Sequence, residues 1–165
     1  MLRIRDVRSD ELDATAEVMV AAYREYVPPD APAQLQEYLH EIRDVRSRLA
    51  DSMLILAEAD GRILGAVTYY GDATKEPHAA WPAGWANFRL LAVAPQARGK
   101  GIGRALTEEC LARARAAGRT AIGLHTTQMM QVARAMYERM GFTRVPEFDF
   151  SPVPGFLVMA YRLSL

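Results

Sequence analysis

Three glycines at alternate positions, Gly99, Gly101 and Gly103, stand among Arg98, Lys100 and Arg104, just after Pro95 and Gln96. Upstream, Asn87 to Val93 reads as a buried strand that Pro95 stops. Downstream, Ile102, Leu106, Cys110 and Ala114 recur every four residues, with Glu108, Glu109, Arg113 and Arg115 on the remaining faces, which is helical spacing. The unit is therefore strand, glycine-rich turn, helix. Amides at a helix start have no intrahelical partner, and the helix dipole adds positive potential there. Glycines let an anion approach that backbone, and the basic side chains reinforce the attraction. The chemistry this predicts is binding of a phosphate or pyrophosphate.

Spacing narrows the choice of phosphate. A Walker A loop needs GxxxxGK followed by Ser or Thr, and no such run exists. A dinucleotide fingerprint starting at Gly101 fails because its third glycine falls at Leu106, and the next strand ends near His125 without a ribose-binding acid. The run Gln96-Ala-Arg-Gly99-Lys-Gly101, repeated two residues on as Arg98-Gly-Lys-Gly101-Ile-Gly103, instead resembles motif A of the GNAT family of N-acetyltransferases, Gln/Arg-x-x-Gly-x-Gly/Ala. Further along, Ala133-Arg-Ala-Met-Tyr137-Glu-Arg-Met-Gly141-Phe142 resembles that family's motif B, Ala-x-x-Leu-Tyr-Glu before Gly-Phe.

The resemblance implies a function and a site. Acetyl-CoA would lie in a cleft between the strand ending at Val93 and the strand ending near His125. Its pyrophosphate would sit on the loop Gln96, Arg98, Gly99, Lys100, Gly101, Ile102 and Gly103, with Arg104 beside it and Ala133 on the neighbouring helix. Backbone groups of Leu91, Ala92 and Val93 would pair with the pantetheine arm like an added strand, and an N–H near Val93 would polarise the thioester carbonyl. The implied reaction is direct attack by a primary amine of a small molecule or peptide on acetyl-CoA in a ternary complex. Tyr137 occupies the family's position for the residue that serves the leaving sulfur. The family often has Asn seven residues before that tyrosine; here the position is Met130, with Gln128 or Gln131 as substitutes.

No general base stands out. Asn87 and Arg89 fill the central strand where some family members have a glutamate. His125 is the nearest titratable candidate, able to change charge near neutrality. His78, Glu147, Asp149 or an ordered water are the alternatives. The acceptor pocket is expected between Tyr23 to Pro29 and Phe148 to Phe156, where Tyr26, Phe148, Phe150 and Asp149 suit an amine with an apolar body; Trp81 and Trp85 read equally as core or ligand-facing. A second function class stays open, a catalytically silent CoA-binding or sensor module of the same fold. An ATP-binding protein is disfavoured by the missing lysine and Ser/Thr pair.

The whole chain sets the bounds. Its 165 residues suffice for one domain, expected over 1–165, without metals or disulfides. Lys plus Arg number 20 and Asp plus Glu number 20, so no basic field argues for nucleic acid. The single cysteine, Cys110, lies on an apolar helical stripe and fits a reducing cytoplasm. Neither a signal-peptide run nor a stretch approaching the ~20 apolar residues of a membrane span is found. A metal is not expected, and a homodimer is left open.

Positioning these residues falls to a simple order of elements. Leu2 to Val7 reads as a strand, Ser9 as the cap of a helix carrying Leu12 to Tyr23, and Pro32 to Leu49 as a second helix with a solvated charged face. Met53 to Ala59 and Arg62 to Tyr70 form a hairpin about Asp60-Gly61. After the central strand and helix come a Gly118 cap, a strand Thr120 to His125, a helix Met129 to Met140, and strands Thr143 to Phe150 and Gly155 to Leu163 separated by Ser151 to Pro154. This order predicts a mixed α/β (α+β) fold, a mostly antiparallel sheet flanked by helices. It is also the order of the GNAT acyl-CoA N-acyltransferase fold.

Overall fold

A computed structural model describes residues 1–165. Strand β1 (Arg3–Asp6), helices α1 (Leu12–Tyr23), α2 (Ala33–Arg43) and α3 (Val45–Arg48), and strands β2 (Met53–Ala59) and β3 (Arg62–Tyr70) come first. They are followed by β4 (Trp85–Val93), α4 (Ile102–Ala116), β5 (Ala121–Thr127), α5 (Gln131–Arg139), β6 (Thr143–Arg144), β7 (Phe150–Val153) and β8 (Phe156–Ser164). The hydrogen-bonded strand order is β1-β2-β3-β4-β5-β8-β6, with β7 on β8. β4 runs parallel to β5, whereas β1/β2, β2/β3, β5/β8, β6/β8 and β7/β8 are antiparallel. It is the mixed, largely antiparallel sheet flanked by helices that the sequence order predicts.

The chain divides into two compact units. The first holds residues 1–69 and 90–109. Asp60 and Gly61 take φ of 51° and 74°, as a two-residue turn with two left-handed positions requires, so β2 folds straight back as β3. Met19, Ile42, Ile55, Leu56, Val67 and Leu106 are fully or almost fully buried here; each large side chain so buried stabilises the unit by about 1.5–3 kcal/mol. Gly65 lets the layers close. A Cβ there would sit 2.7 Å from the Ala92 carbonyl oxygen and 3.2 Å from Ile102 Cγ2.

Two expectations about this unit are corrected. The first helix is not capped by the Ser9 hydroxyl: Ser9–Glu11 forms a 3-10 turn, and the Glu11 carboxylate accepts the Arg8 N–H at 2.8 Å. The helix expected over 32–49 is two helices. Asp44 leaves the helical region (φ −80°, ψ 65°), and its carboxylate accepts from the Ser47 N–H and hydroxyl to start α3. Arg48 then folds back onto the carbonyls of Glu41, Ile42 and Asp44, satisfying the open end of α2. Part of the charged face is therefore structural, and Arg43 and Arg46 pair with Glu17 and Asp13.

The second unit holds residues 70–89 and 110–165. β5 registers with β4 over three pairs, from Trp85↔Ala121 to Asn87↔Gly123, and with β8 over its whole length, from Ala121↔Ser164 to Thr127↔Val158. Gly118, at φ 71°, ends α4 as expected; its N–H goes to the Arg115 carbonyl and the Arg119 N–H to that of Ala114. The single strand expected over 143–150 is broken. β6 is two residues long, Pro146–Phe148 turns, and β7 runs through Ser151 and Pro152, so the reversal lies at Pro154-Gly155, with Gly155 at φ 80°. Pro146 has a fixed φ and no N–H to give a ladder. The Asp149 carboxylate takes the Arg144 guanidinium at 2.7 and 2.6 Å and the Ala160 N–H at 2.7 Å, which fixes the break.

Candidate active site

In the first unit, β4 delivers the chain to the glycine loop through a distorted stretch. Leu90 has φ 57°, a left-handed conformation that costs a branched residue about 1–2 kcal/mol and breaks the regular pleat. Such strain concentrates at functional positions. The next residue is pinned, since the Tyr23 hydroxyl donates to the Leu91 carbonyl at 3.0 Å. Ala94 N–H bonds the Leu64 carbonyl, a short turn spans Pro95–Ala97, and Gly99 and Gly101 both take φ 78°. The first bond of α4 runs from Ala105 N–H to the Gly101 carbonyl, so the amides of Ile102, Gly103 and Arg104 have no partner within the helix. A Cβ on Gly99 or Gly101 would meet nothing within 4 Å. These glycines are needed for their conformation, and the space over the loop is open.

The basic side chains are arranged differently from the sequence expectation. Arg98 turns to the end of α1, giving a hydrogen bond to the Ala22 carbonyl (3.1 Å) and an ion pair to Glu25 (2.6 Å). Arg104 pairs with Glu108 one turn on, at 2.8 Å. Gln96 and Lys100 are exposed. The attraction for an anion thus comes from the backbone amides and Lys100 more than from the two arginines. Tyr26, expected at the acceptor pocket, is half-buried in the turn after α1 with its ring 6.3 Å from that of Tyr23; burial and the Glu25 charge raise its phenol.

In the second unit, α5 buries Tyr137, which is 4% exposed, with ring centroids 6.0 Å from Phe88 and 5.6 Å from Phe142. Burial pushes its phenol well above the ordinary tyrosine range. Ala133 is half-buried one turn before it, and Gln128 and Gln131 are exposed. Met130 caps α5 and its sulfur accepts the Thr126 hydroxyl at 3.7 Å, so this departure from the family's Asn has a packing role. Cys110 is fully buried.

His125 is half-buried between Trp81 and Phe150, with centroid distances of 4.9 and 5.0 Å, and its Nε2 lies 2.8 Å from the Phe148 carbonyl. A carbonyl only accepts, so Nε2 carries the proton and the lone pair is on Nδ1. Burial lowers its pKa, although the Phe148 carbonyl opposes this, and the ring is neutral at physiological pH. Asp149 is engaged with Arg144, while Glu147 is exposed in the preceding turn.

The group that sequence reasoning missed is Glu76. Its carboxylate is buried in the loop between β3 and β4, accepting the His78 N–H at 3.0 Å, contacting His78 Nδ1 at 2.7 Å and accepting the Trp81 indole N–H at 3.2 Å. Arg89 Nε lies 3.9 Å away. Burial opposes its ionisation, but the His78 bonds and the Arg89 charge outweigh it and hold its pKa below the ordinary value. The spacing Glu76-Pro77-His78 was the available signal. No group of three or more His, Cys, Asp or Glu is placed to hold a metal ion.

A mixed sheet whose parallel strand runs through a glycine turn into a helix with open amides defines a protein able to hold a phosphate-bearing ligand at that turn. The acetyltransferase (GNAT) family profile matches residues 15–142, and the chain belongs to this family. It is 37% identical to mycothiol acetyltransferase of Cellulomonas flavigena over 102 residues, 61% of this chain and 29% of the relative. It is 30% identical to N-acetyltransferase 8B of Mus musculus over 116 residues, 69% of this chain and 47% of the relative. The chain thus spans less than half the length of either. A GNAT family acetyltransferase from Brucella melitensis, solved in complex with acetyl-CoA, superposes with a TM-score of 0.64 at 24% identity, covering 100% of this chain and 91% of that one.

Proposed function

We propose that this protein is an acetyl-CoA-dependent N-acetyltransferase acting on a primary amine of a small molecule or peptide. The observation that carries the reading is the open loop at the head of α4, where Gly99 and Gly101 hold left-handed conformations and the amides of Ile102 to Arg104 lack helix partners. Those amides, with Lys100, suit the diphosphate of a coenzyme, and Leu91, Ala92 and Val93 supply an extended backbone for its amide-bearing arm. Acetyl-CoA, when bound, supplies an activated acyl thioester. The protein's part is to hold it, to bring up an unprotonated amine and to stabilise the departing sulfur.

Tyr137 serves the last task in this reading. Its phenol, raised by burial, stays protonated at working pH and is a weaker acid than a free thiol. It therefore acts as a hydrogen-bond donor to sulfur and does not surrender its proton outright. The buried thiol of Cys110, which forms no disulfide, fits the cytoplasm as the place of action. No helix is long and apolar enough to cross a membrane.

The test is a thermal-shift comparison of acetyl-CoA, CoA and ATP, followed by thiol release on an amine panel. Both coenzyme forms should raise Tm while ATP does not, and one class of amine should release thiol. Failure of either coenzyme to bind would overturn the reading. Binding without transfer to any amine would favour a silent sensor module.

A further inference from the structure

We propose that Arg98 is a positioning residue for the coenzyme: tied to the C-terminal end of α1 through Glu25 and the Ala22 carbonyl, it holds the glycine loop in the shape that receives a diphosphate. The inference rests on the acetyl-CoA reading and adds to it a pair of residues, Arg98 and Glu25, that act through the loop's amides and not on the anion.

The loop is anchored at its two ends. Before it, the Ala94 N–H bonds the Leu64 carbonyl and Ala97 is buried. After it, α4 begins with the bond from the Ala105 N–H to the Gly101 carbonyl, and Ile102 is buried. Residues 98–101 lie between these anchors. Gly99 and Gly101 both stand at φ 78°, and a Cβ on either would meet nothing within 4 Å, so packing does not restrict them. Glycine loses more conformational freedom on ordering than any other residue, and amides converge on an anion only where the chain is held. Lys100 is exposed. Arg98 is the side chain of this stretch that reaches another element.

Its destination has a physical reason. Nη2 donates to the Ala22 carbonyl at 3.1 Å, and Nη1 pairs with Glu25 Oε1 at 2.6 Å. Ala22 lies in the last turn of α1, where carbonyls lack intrahelical partners and the helix dipole is negative. A planar guanidinium fork serves a carbonyl and a carboxylate together, which a lysine ammonium does not reproduce. The Tyr26 phenol, raised by its burial first and by the Glu25 charge next, stays neutral and does not contest the ion pair. Tyr23, at the same end of α1, holds the Leu91 carbonyl. One helix end thus fastens both the strand proposed to carry the coenzyme arm and the loop proposed to carry its diphosphate. The negative end of α1 draws off the arginine, and the amides at the positive end of α4 are left for the anion.

The sign of the effect separates positioning from plain charge. The Arg98 and Glu25 side chains are 40% and 47% exposed, and an ion pair so exposed contributes little to global stability. Glu25 is itself an anion. By charge alone, Glu25→Gln would tighten binding of a polyanionic coenzyme, and it would release Arg98 toward the diphosphate. Loss of the tie does the reverse, because the loop must then be ordered by the ligand.

The test compares wild type, Glu25→Gln, Arg98→Lys, Arg98→Met and the double variant Glu25→Gln/Arg98→Met. Its readouts are isothermal titration with CoA, urea unfolding, and NMR relaxation of the loop amides in the coenzyme-free protein. Glu25→Gln should weaken CoA binding about tenfold, the loss expected when the ordering of one loop residue moves into the binding step. Its urea midpoint should stay close to wild type while the order parameters of Gly99 to Gly103 fall. Arg98→Lys keeps the charge and loses the fork, so it should weaken binding to a similar extent. The double variant should bind no worse than Arg98→Met, because both changes break the same tie. CoA held as tightly as in wild type, or more tightly, by Glu25→Gln or Arg98→Lys overturns the proposal and leaves the coenzyme reading standing. Unchanged loop relaxation in Glu25→Gln, or a urea midpoint that falls in step with the affinity, overturns it as well. A wild type that binds no CoA removes the coenzyme reading and the proposal with it.

Discussion

The Tyr23 hydroxyl of α1 donates a 3.0 Å hydrogen bond to the Leu91 carbonyl of β4, one residue past the left-handed Leu90. A helix side chain thereby holds the strand where its pleat is broken and where the proposed coenzyme arm begins. Tyr23→Phe keeps the buried ring and deletes this bond. It should cost about 1 kcal/mol of stability, the net worth of such a bond. If Leu91 to Val93 carry the arm, KM for acetyl-CoA should rise more than kcat falls. Urea unfolding and steady-state kinetics check both halves.

Two glycines of the same unit should fail in different ways. Gly101→Ala forces a side chain into φ 78° with nothing within 4 Å to clash, so its cost is conformational, about 1–2 kcal/mol. Because the strain falls on the loop whose amides are proposed to face the coenzyme, CoA affinity should drop as well. Gly65→Ala meets the Ala92 carbonyl oxygen at 2.7 Å and Ile102 at 3.2 Å. Backbone must shift there, at about 1–3 kcal/mol. Urea midpoints should fall for both, and isothermal titration with CoA should single out Gly101→Ala.

Acid should weaken the first unit through Glu11. Its carboxylate accepts from Arg5 at 2.9 and 2.7 Å and from the Arg8 N–H at 2.8 Å, and the Arg5 bonds, foremost, hold its pKa down at about 2. The folded pKa lies below the unfolded one, so between the two the unfolded chain binds more protons. The stabilisation is complete above the ordinary carboxylate range and is lost as pH falls toward 2. Tm measured from pH 6 to pH 2 should decline more shallowly in Glu11→Gln than in wild type; parallel curves would remove Glu11 as a source of the acid response.

What the sequence disclosed, and what it hid, divides along local and non-local causes. Asp60-Gly61, the stripe Ile102, Leu106, Cys110 and Ala114, and the Gly118 cap are set by neighbours a few residues apart, and each forms as the pattern predicts. The motif order carried the fold for the same reason. Gly65 and Gly123 are glycines because distant groups press on them: the Ala92 carbonyl on one and the Trp81 ring, 2.6 Å from a Cβ, on the other. Asp44 breaks its expected helix where Ser47 supplies an alternative partner, and the strand broken at Pro146 is held in its turn by the distant bonds of Asp149 to Arg144 and the Ala160 N–H. Arg98 looked like an anion ligand beside the glycines, yet Ala22 and Glu25, far along the chain, claim it. Glu76 escaped notice because a lone acid in a loop has no periodicity, and only folding surrounds it with His78, Trp81 and Arg89.

Tyr137→Phe tests the leaving-group side of the reaction. The ring sits against Phe88 and Phe142, and Phe preserves that packing, so stability and CoA-induced thermal shift should stay close to wild type. What is lost is the hydroxyl, and with it a hydrogen bond formed only as negative charge grows on sulfur. An interaction made in the transition state and not in the ground state appears in kcat, with KM little changed. Turnover should fall about 10- to 100-fold, as for loss of one donor to a developing anion. Because burial raises the phenol, no basic limb belonging to Tyr137 should appear in the wild-type pH profile below its ordinary titration range. Undiminished thiol release by Tyr137→Phe in single-turnover kinetics would take this residue out of the mechanism and leave it a packing role against the two phenylalanines.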